Sequence, residues 1–532
     1  MKASTLTLSF LLPCIGATSA HAQHSFEHKT KDARPNIIFA FGDDYGRYAS
    51  IYGEIDKDDR ISQLIDTPNF DRVAREGVLM TNAYAPAPSS TPCRSSILSG
   101  QYFWRTGKGA ILQGAEWDES IPSFPLLLEA SGYHIGFTYK VWSPGKPADA
   151  PYGGARNKYV ARGNKWNNFS INVTRSADPE AYVDELLAEV EGNFQDFLDT
   201  RPEGEPFCYW WGPTNTHRQW QKGSGKELWG IDPDDLKGIM PSFMPDVPQI
   251  REDMADYLGE CMAFDAGLGV LLDKLEEIGE LDNTIVVVSG DHGIPGFPRG
   301  KCNLYDLGTK VGMAVRYPPT VAPGRVIEDF VNLMDLAPTF LEFGQTEIPD
   351  VMSGRSIKDI LESGKGGLID KSRDYVVTGR ERHVAGARHD RLPYPQRAIV
   401  TSRYKYIRNF EPTRWPVGTY KASFADFDGG PTKEWLMEHY TDSTYAWHMD
   451  LAFGIRPYEE LYDLEKDPDE TENLVWDKKY QKIRKEMSDR LEKILKENAD
   501  PRMNPEQCIF ETPLFLSLRA NYNSPYDAIK EY

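Results

Sequence analysis

PNIIFAFGDD (residues 35–44) sets an unbroken apolar run, Ile37 to Phe41, directly before Gly42-Asp43-Asp44. A strand with one face in water alternates apolar and polar side chains. A continuous run has both faces covered, as in a parallel sheet with helices on each side. The chain repeats this texture in YHIGFTY (133–139), PFCYWWG (206–212) and NTIVVVSG (283–290). Between them, ADPEAYVDELLAEVEGNFQDFLD (177–199) and REDMADYLGECMAFDAGLGVLLDKLEEIG (251–279) carry helical patterns. Strand and helix in alternation predict an α/β fold: a large doubly wound mixed or parallel sheet sandwiched by helices, over residues 33–370.

The texture changes after residue 370. RDYVVTGR, QRAIVTSRYKYIRNF and EELYDLEKDPDETENL read as short strands and turns, followed by the charged helical pattern DKKYQKIRKEMSDRLEKILKEN (477–498). They predict a smaller C-terminal antiparallel α+β subdomain over 371–500, with 501–532 as a tail packed on the surface. The stretch 411–457, rich in Trp and Tyr, has weak periodicity and reads as an ordered insertion. At the other end, Lys2, the apolar run Leu6 to Ile15 and Ala20-His21-Ala22 form a secretory signal peptide over 1–22. The protein is therefore expected to be exported, periplasmic or secreted. No other stretch reaches the ~18 apolar residues that a membrane span needs.

With 60 Lys and Arg against 80 Asp and Glu, the net charge of −20 argues against a nucleic-acid partner. It also repels polyanions at long range, so an anionic substrate requires a locally positive pocket. Besides Cys14 in the leader, Cys93, Cys208, Cys261, Cys302 and Cys508 are scattered without a CxxC pair. That spacing argues against a zinc site or a disulfide framework and leaves room for one bridge at most.

In open α/β sheets ligands bind beyond the carboxyl ends of the strands. Here two strands end in polar pairs, Asp43-Asp44 and Asp291-His292. Three carboxylates and an imidazole converging on one point need a cation, and mostly oxygen ligands favour a hard ion, calcium ahead of magnesium. Cationic groups follow other strands: Lys140 after YHIGFTY, His217 after PFCYWWG, and Lys301 in PRGKCNLYDLG. SSTPCRSSILSG (89–100) then reads as a capped helix, with Ser90 near the N-cap, Pro92 in the first turn and Gly100 as the stop. Ser90 would stand where free N–H groups and the helix dipole favour an anion, with Arg94 one turn on.

This set resembles the type I sulfatases of the alkaline phosphatase superfamily, whose signature is Cys or Ser, x, Pro, x, Arg, then a short run to Thr-Gly or similar. Ser90-Thr91-Pro92-Cys93-Arg94 through Ser99-Gly100 matches it in serine form; Ile97 stands four residues after Cys93, so the register belongs to Ser90. The resemblance implies that Ser90 is oxidised to formylglycine by a radical-type serine maturase, since serine lacks the thiol of the cysteine-type route. It implies one Ca2+ ion held by Asp43, Asp44, Asp291, His292 and the modified residue 90. It assigns Arg94, Lys140, His217 and Lys301 to holding the nucleophile and the sulfate. DTPNFDRVAREGVLMTNAYAPAPS, FMPDVPQIREDMADYLGECMAFDAGLGVLLDKL and NLYDLGT look most like the heparan N-sulfatase (sulfamidase) branch. Two positions depart from the pattern. Trp142 stands where family members carry a histidine after Lys140, and Lys301 stands where the sulfamidase branch has arginine.

The implied activity is hydrolysis of sulfate esters on a sulfated carbohydrate, an algal or host polysaccharide or oligosaccharide, with ulvan, carrageenan and heparan-type chains all open. Arg382, His383, His389 and Arg397, in GRERHVAGARHDRLPYPQR (379–397), are candidates for contacts to the glycan's carboxylates or sulfates. Two alternatives stand beside this reading. One is a phosphodiesterase or phosphonate hydrolase of the same superfamily; the other is a non-catalytic sulfoglycan-binding protein, should Ser90 remain unmodified.

Overall fold

The computed structural model describes residues 34–517 of the 532-residue chain. The signal peptide expected over 1–22 and the tail beyond 517 lie outside the described residues. The main sheet contains β1 (Asn36–Gly42), β2 (Val78–Tyr84), β3 (His134–Tyr139), β4 (Phe207–Gly212), β5 (Thr284–Gly290), β6 (Lys310–Arg316), β7 (Arg325–Ile327) and β8 (Val331–Asn332). Their order is β3-β4-β1-β5-β6-β2-β7, with β8 also on β2. Strands β3, β4, β1 and β5 run parallel, and β6 is antiparallel to both β5 and β2.

The continuous apolar runs are explained by two cores, one on each face. Ile38, Ala40, Tyr209, Trp211, Val286 and Val288 pack on the face covered by the long helix Pro248–Glu277. Ile37, Phe39, Phe41, Trp210 and Val287 pack on the other, against the helices Ser90–Ser99 and Leu336–Phe343. Period-2 alternation thus divides each run between two dry layers, and each large side chain so buried contributes about 1.5–3 kcal/mol.

A second sheet, β12 (Glu459–Asp463), β11 (Tyr404–Asn409), β10 (Gln396–Thr401) and β9 (Tyr375–Arg380) in that order, is antiparallel throughout. The helix Gln481–Glu497 covers one face, where Val377, Ile399, Tyr406 and Leu461 meet Leu491 and Leu495. Ala398 and Ile407 on the other face meet Leu304 and Tyr305, in the loop that carries Lys301. The chain after residue 410 forms the helices Pro431–Glu438 and Ala446–Phe453 and joins the first core through Phe424, Trp435 and Phe453. Its weak periodicity reflects anchoring by aromatic stacking, Phe424 on Phe453 at 4.1 Å between centroids, rather than by an amphipathic stripe. All five cysteines among the described residues are buried free thiols. No described helix is long and apolar enough to cross a membrane.

Candidate active site

Strands β1 and β5 lie side by side in register, Gly42 opposite Gly290, so the residues following them emerge together. Gly290 is needed there, because a Cβ would sit 1.9 Å from the Tyr45 carbonyl oxygen. Asp44 takes a left-handed backbone, φ 61°, which aspartate tolerates better than bulkier residues. Its N–H donates to Asp291 Oδ1 at 2.8 Å. The pairs predicted to converge do so.

The helix Ser90–Ser99 is buried along its whole length and stops at Gly100, whose φ is 64°. Ser90 lies next to the N-cap as expected: Ser89 has the extended backbone of the cap, and Ser90 is the first helical residue. Ser90 Oγ donates to Asp43 Oδ1 at 3.1 Å and lies 3.3 Å from His292 Nε2. One turn on, Arg94 locks the corner. Its Nε donates to Asp291 Oδ2 at 3.0 Å, Nη2 to Asp43 Oδ1 at 3.2 Å, and Nη1 to the carbonyls of Lys140 and Val141. Lys140 Nζ donates to both Asp43 oxygens, at 2.7 and 2.8 Å. Lys301 Nζ donates to Asp44 Oδ2 at 2.8 Å. His217 Nε2 lies 3.8 Å from the same oxygen, and its Nδ1 is 2.6 Å from the Arg218 carbonyl. With its side chain 38% exposed, His217 is the member of this set most open to solvent.

Electrostatics separate the two adjacent aspartates. Burial pushes Asp43 upward, but Lys140 and Arg94 outweigh it and hold the carboxyl well below the usual range. Burial dominates at Asp44 and raises it, only partly offset by Lys301 and the two histidines. Asp44 Oδ1 is buried and accepts no hydrogen bond. Ligand atoms of Asp44, Asp291 and His292, and of Asp43, Asp44 and His217, gather within 4.8 Å of one another. An orphaned carboxylate oxygen among mainly oxygen donors fits a hard divalent cation.

The glycan candidates divide. His383 is buried beside the helix Ser90–Ser99, its Nδ1 2.7 Å from Ser89 Oγ. Arg382 is buried too, donating to the Gln113 carbonyl at 2.7 Å. His389 is on the surface, paired with its neighbour Asp390 at 2.7 Å. Arg397, expected as a glycan contact, is instead fully buried between Glu381 (3.0 Å) and Asp500 (2.6 Å), beside the rings of Phe103 and Trp104. Its guanidinium ties the second sheet to residue 500 and meets no open pocket.

Trp142 is also sealed in, donating its indole N–H to Ser95 Oγ at 2.8 Å. Sequence reasoning missed Asp428, whose Oδ2 is 3.1 Å from Lys301 Nζ. Burial opposes its charge, but chiefly the Lys301 ammonium holds the carboxyl far below the ordinary range. Reciprocally, burial works against the Lys301 ammonium, while Asp428 and Asp44 keep it firmly protonated. The only local signal for Asp428 was the turn chemistry of Asp428-Gly429-Gly430.

A family model described as Sulfatase matches residues 35–345, and one described as N-sulphoglucosamine sulphohydrolase, C-terminal, matches residues 299–422. The chain is similar to the N-sulphoglucosamine sulphohydrolase of Homo sapiens, 27% identical over 507 residues that cover 88% of this chain and 91% of the relative. It is also similar to an ulvan-active sulfatase of Formosa agariphila, 26% identical over 497 residues, covering 89% and 76%. The phosphonate monoester hydrolase of Agrobacterium radiobacter shares the fold, with a TM-score of 0.60 and 17% identity over 87% of this chain and 96% of that one.

Proposed function

Because the chain belongs to the sulfatase family and is a sulfuric ester hydrolase, we propose that residue 90 is its nucleophile and a sulfated carbohydrate its substrate. The carrying observation is the position of Ser90. It opens a buried helix, within 3.1 Å of Asp43 and 3.3 Å of His292, with Arg94 braced behind it. Free N–H groups at that helix start favour an anion. Oxidised to formylglycine by a serine-type maturase, residue 90 would supply a hydrated-aldehyde nucleophile with its own route for releasing sulfate. Asp43, Asp44, Asp291, His292 and residue 90 are the residues that would hold one Ca2+ ion, whose charge would polarise the sulfuryl oxygens.

The chain's own groups do the rest. Arg94 holds Asp43 and Asp291 in one geometry, and Lys140 and Lys301 offer positive charge where negative charge grows during transfer. His217 Nδ1 can only donate to the Arg218 carbonyl, so its Nε2 carries a proton only as imidazolium; in that form it protonates the leaving oxygen. The glycan class is supported by the relatives, which include sulfatases named for N-sulphoglucosamine and for ulvan. Residues 1–22 as a secretory leader, with catalytic and C-terminal units meeting near residue 370, complete the proposal.

A second reading, a phosphonate or phosphate diester hydrolase, is favoured by the fold shared with the Agrobacterium enzyme. The test is the mass of the peptide containing residue 90, paired with turnover of aryl sulfate and aryl phosphonate by the same preparation. Formylglycine at 90 with preferred sulfate turnover is expected. Full activity from protein carrying plain serine would overturn the nucleophile assignment, and preferred phosphonate turnover the substrate class.

A further inference from the structure

The wall of the pocket after Lys140 presents no imidazole, since Trp142 is sealed against Ser95. An imidazole reaches the start of the helix Ser90–Ser99 from the segment after β9 instead. Beyond β9, the segment Glu381-Arg382-His383 is clamped by main-chain bonds to Leu112 and Gln113, in the chain that follows the helix Ser90–Ser99. Leu112 N–H donates to the Arg382 carbonyl at 3.1 Å, and Gln113 N–H to that of His383 at 3.2 Å. Val384 N–H donates to Asp426 at 2.8 Å. Asp426 is itself fixed by Arg380 and Arg388, at 2.8 and 2.5 Å. The imidazole on this clamped backbone meets Ser89 Oγ through Nδ1, one residue before position 90. Among the described residues its Nε2 makes no hydrogen bond, and in a ring that is 4% exposed it is not fully enclosed. Lys301 and Asp428 are close enough to shift the ring's charge balance.

We propose that His383 contacts the substrate, its Nε2–H donating to the sulfuryl group held at residue 90 and its tautomer set by Ser89. This supplies the imidazole that position 142 lacks, and it rests on the assignment of residue 90 above. If the Ser89 hydroxyl donates to Nδ1, the neutral ring must carry its proton on Nε2, directed at a ligand that offers only acceptors. Burial pushes the ring down to about 3, so it stays neutral throughout the working range. His383 therefore acts as a fixed donor, whereas His217 acts as the acid. The two histidines divide between them what one protonatable group cannot do at a single pH.

The test uses full-length, matured, calcium-loaded enzyme, with formylglycine at residue 90 verified by peptide mass in every variant. That check separates failure of this inference from failure of the nucleophile assignment. His383→Ala should lower kcat/KM for aryl sulfate by about 10²–10³-fold, the usual cost of one transition-state donor. His383→Gln, which restores an N–H near Nε2, should bring kcat/KM back to within about tenfold of wild type. Inorganic sulfate should inhibit the alanine variant more weakly than wild type. Because the donor is neutral, the loss should be equal at pH 5.5 and pH 8. A purely structural role would let glutamine and alanine fail alike, and that result overturns the proposal. So does an alanine variant within about twofold of wild type. Should the alanine variant not fold, His383→Gln decides: kcat/KM within about tenfold of wild type, with the pH profile unchanged, is expected, and a larger loss overturns the role.

Discussion

The pocket has two halves of different construction. One is made by strand ends: Asp43, Asp44, Asp291 and His292 extend two hydrogen-bonded neighbours in the main sheet, and a buried helix brings Ser90 and Arg94 against them. The other half is made by chain outside the main sheet, with Asp428 from the aromatic insertion and His383 from the segment following β9. In the first half backbone register fixes the geometry, so a few residue types at short spacing suffice. In the second half position depends on contacts between distant segments, such as Asp426 with Arg380 and Arg388. Rigid strand ends suit chemistry that must not vary, and the outer wall is where substrate preference can change without disturbing it.

The largest expected effect strikes the strand-end half. The proposed Ca2+ ion would sit among three buried carboxylates, where Asp44 Oδ1 accepts no hydrogen bond. Chelation followed by desalting should remove more than about 10³-fold of turnover and lower the melting temperature, and added calcium should restore both. Unchanged activity in chelated, metal-analysed protein would refute the metal assignment.

Arg94→Lys comes next. A lysine keeps the charge but cannot span Asp43, Asp291 and two backbone carbonyls at once, as the guanidinium does. We expect a loss of about 10²–10³-fold in kcat. A loss below about threefold would show that charge alone matters there.

How legible each half was follows from the same distinction. The doubly covered strand Ile37 to Phe41 and the two acidic pairs could be read from spacing, because periodicity and strand ends are local properties, whereas the register of Ser90 came only from the resemblance to the sulfatase signature. Ser90 was placed near the N-cap by type, and Ser89, equally suited, is the cap itself. Arg397 was misplaced because a basic side chain in a charged stretch looks the same whether solvated or buried. Its partners Glu381 and Asp500 meet it only in three dimensions. Asp428 was missed for the same reason.

Asp428→Asn probes the outer half. Lys301 would keep Asp44 and lose its second carboxylate, so it would be less firmly oriented while remaining charged. A drop of about tenfold in kcat/KM is expected, with a greater dependence on the sugar than on the leaving group. Equal losses on aryl and sugar sulfates would move Asp428 into the strand-end half of the comparison.

The smallest effect concerns a buried carboxylate without a cation, the counterpart of Asp43. Glu260, on the long helix behind the His217 loop, is fully enclosed and accepts from Ser170 N–H at 3.2 Å and Asn215 Nδ2 at 3.0 Å. Burial outweighs these bonds and pushes it up to about 7, against 4.5 for an ordinary glutamate. The raised value means that the folded protein binds this proton more tightly than the unfolded chain does. Its stabilising contribution is complete below about pH 4.5 and is lost as the pH rises towards 7. Glu260→Gln keeps the shape and removes the charge. Relative to wild type, the variant should therefore gain about 1–2 kcal/mol between pH 5 and pH 8, seen as a melting-temperature difference that shifts by a degree or two in its favour. Both proteins share every other titrating group, so the difference isolates this one. A difference that stays constant with pH would mean that Glu260 is ionised in the folded protein, and that its amide and hydroxyl neighbours do for it what Lys140 and Arg94 do for Asp43.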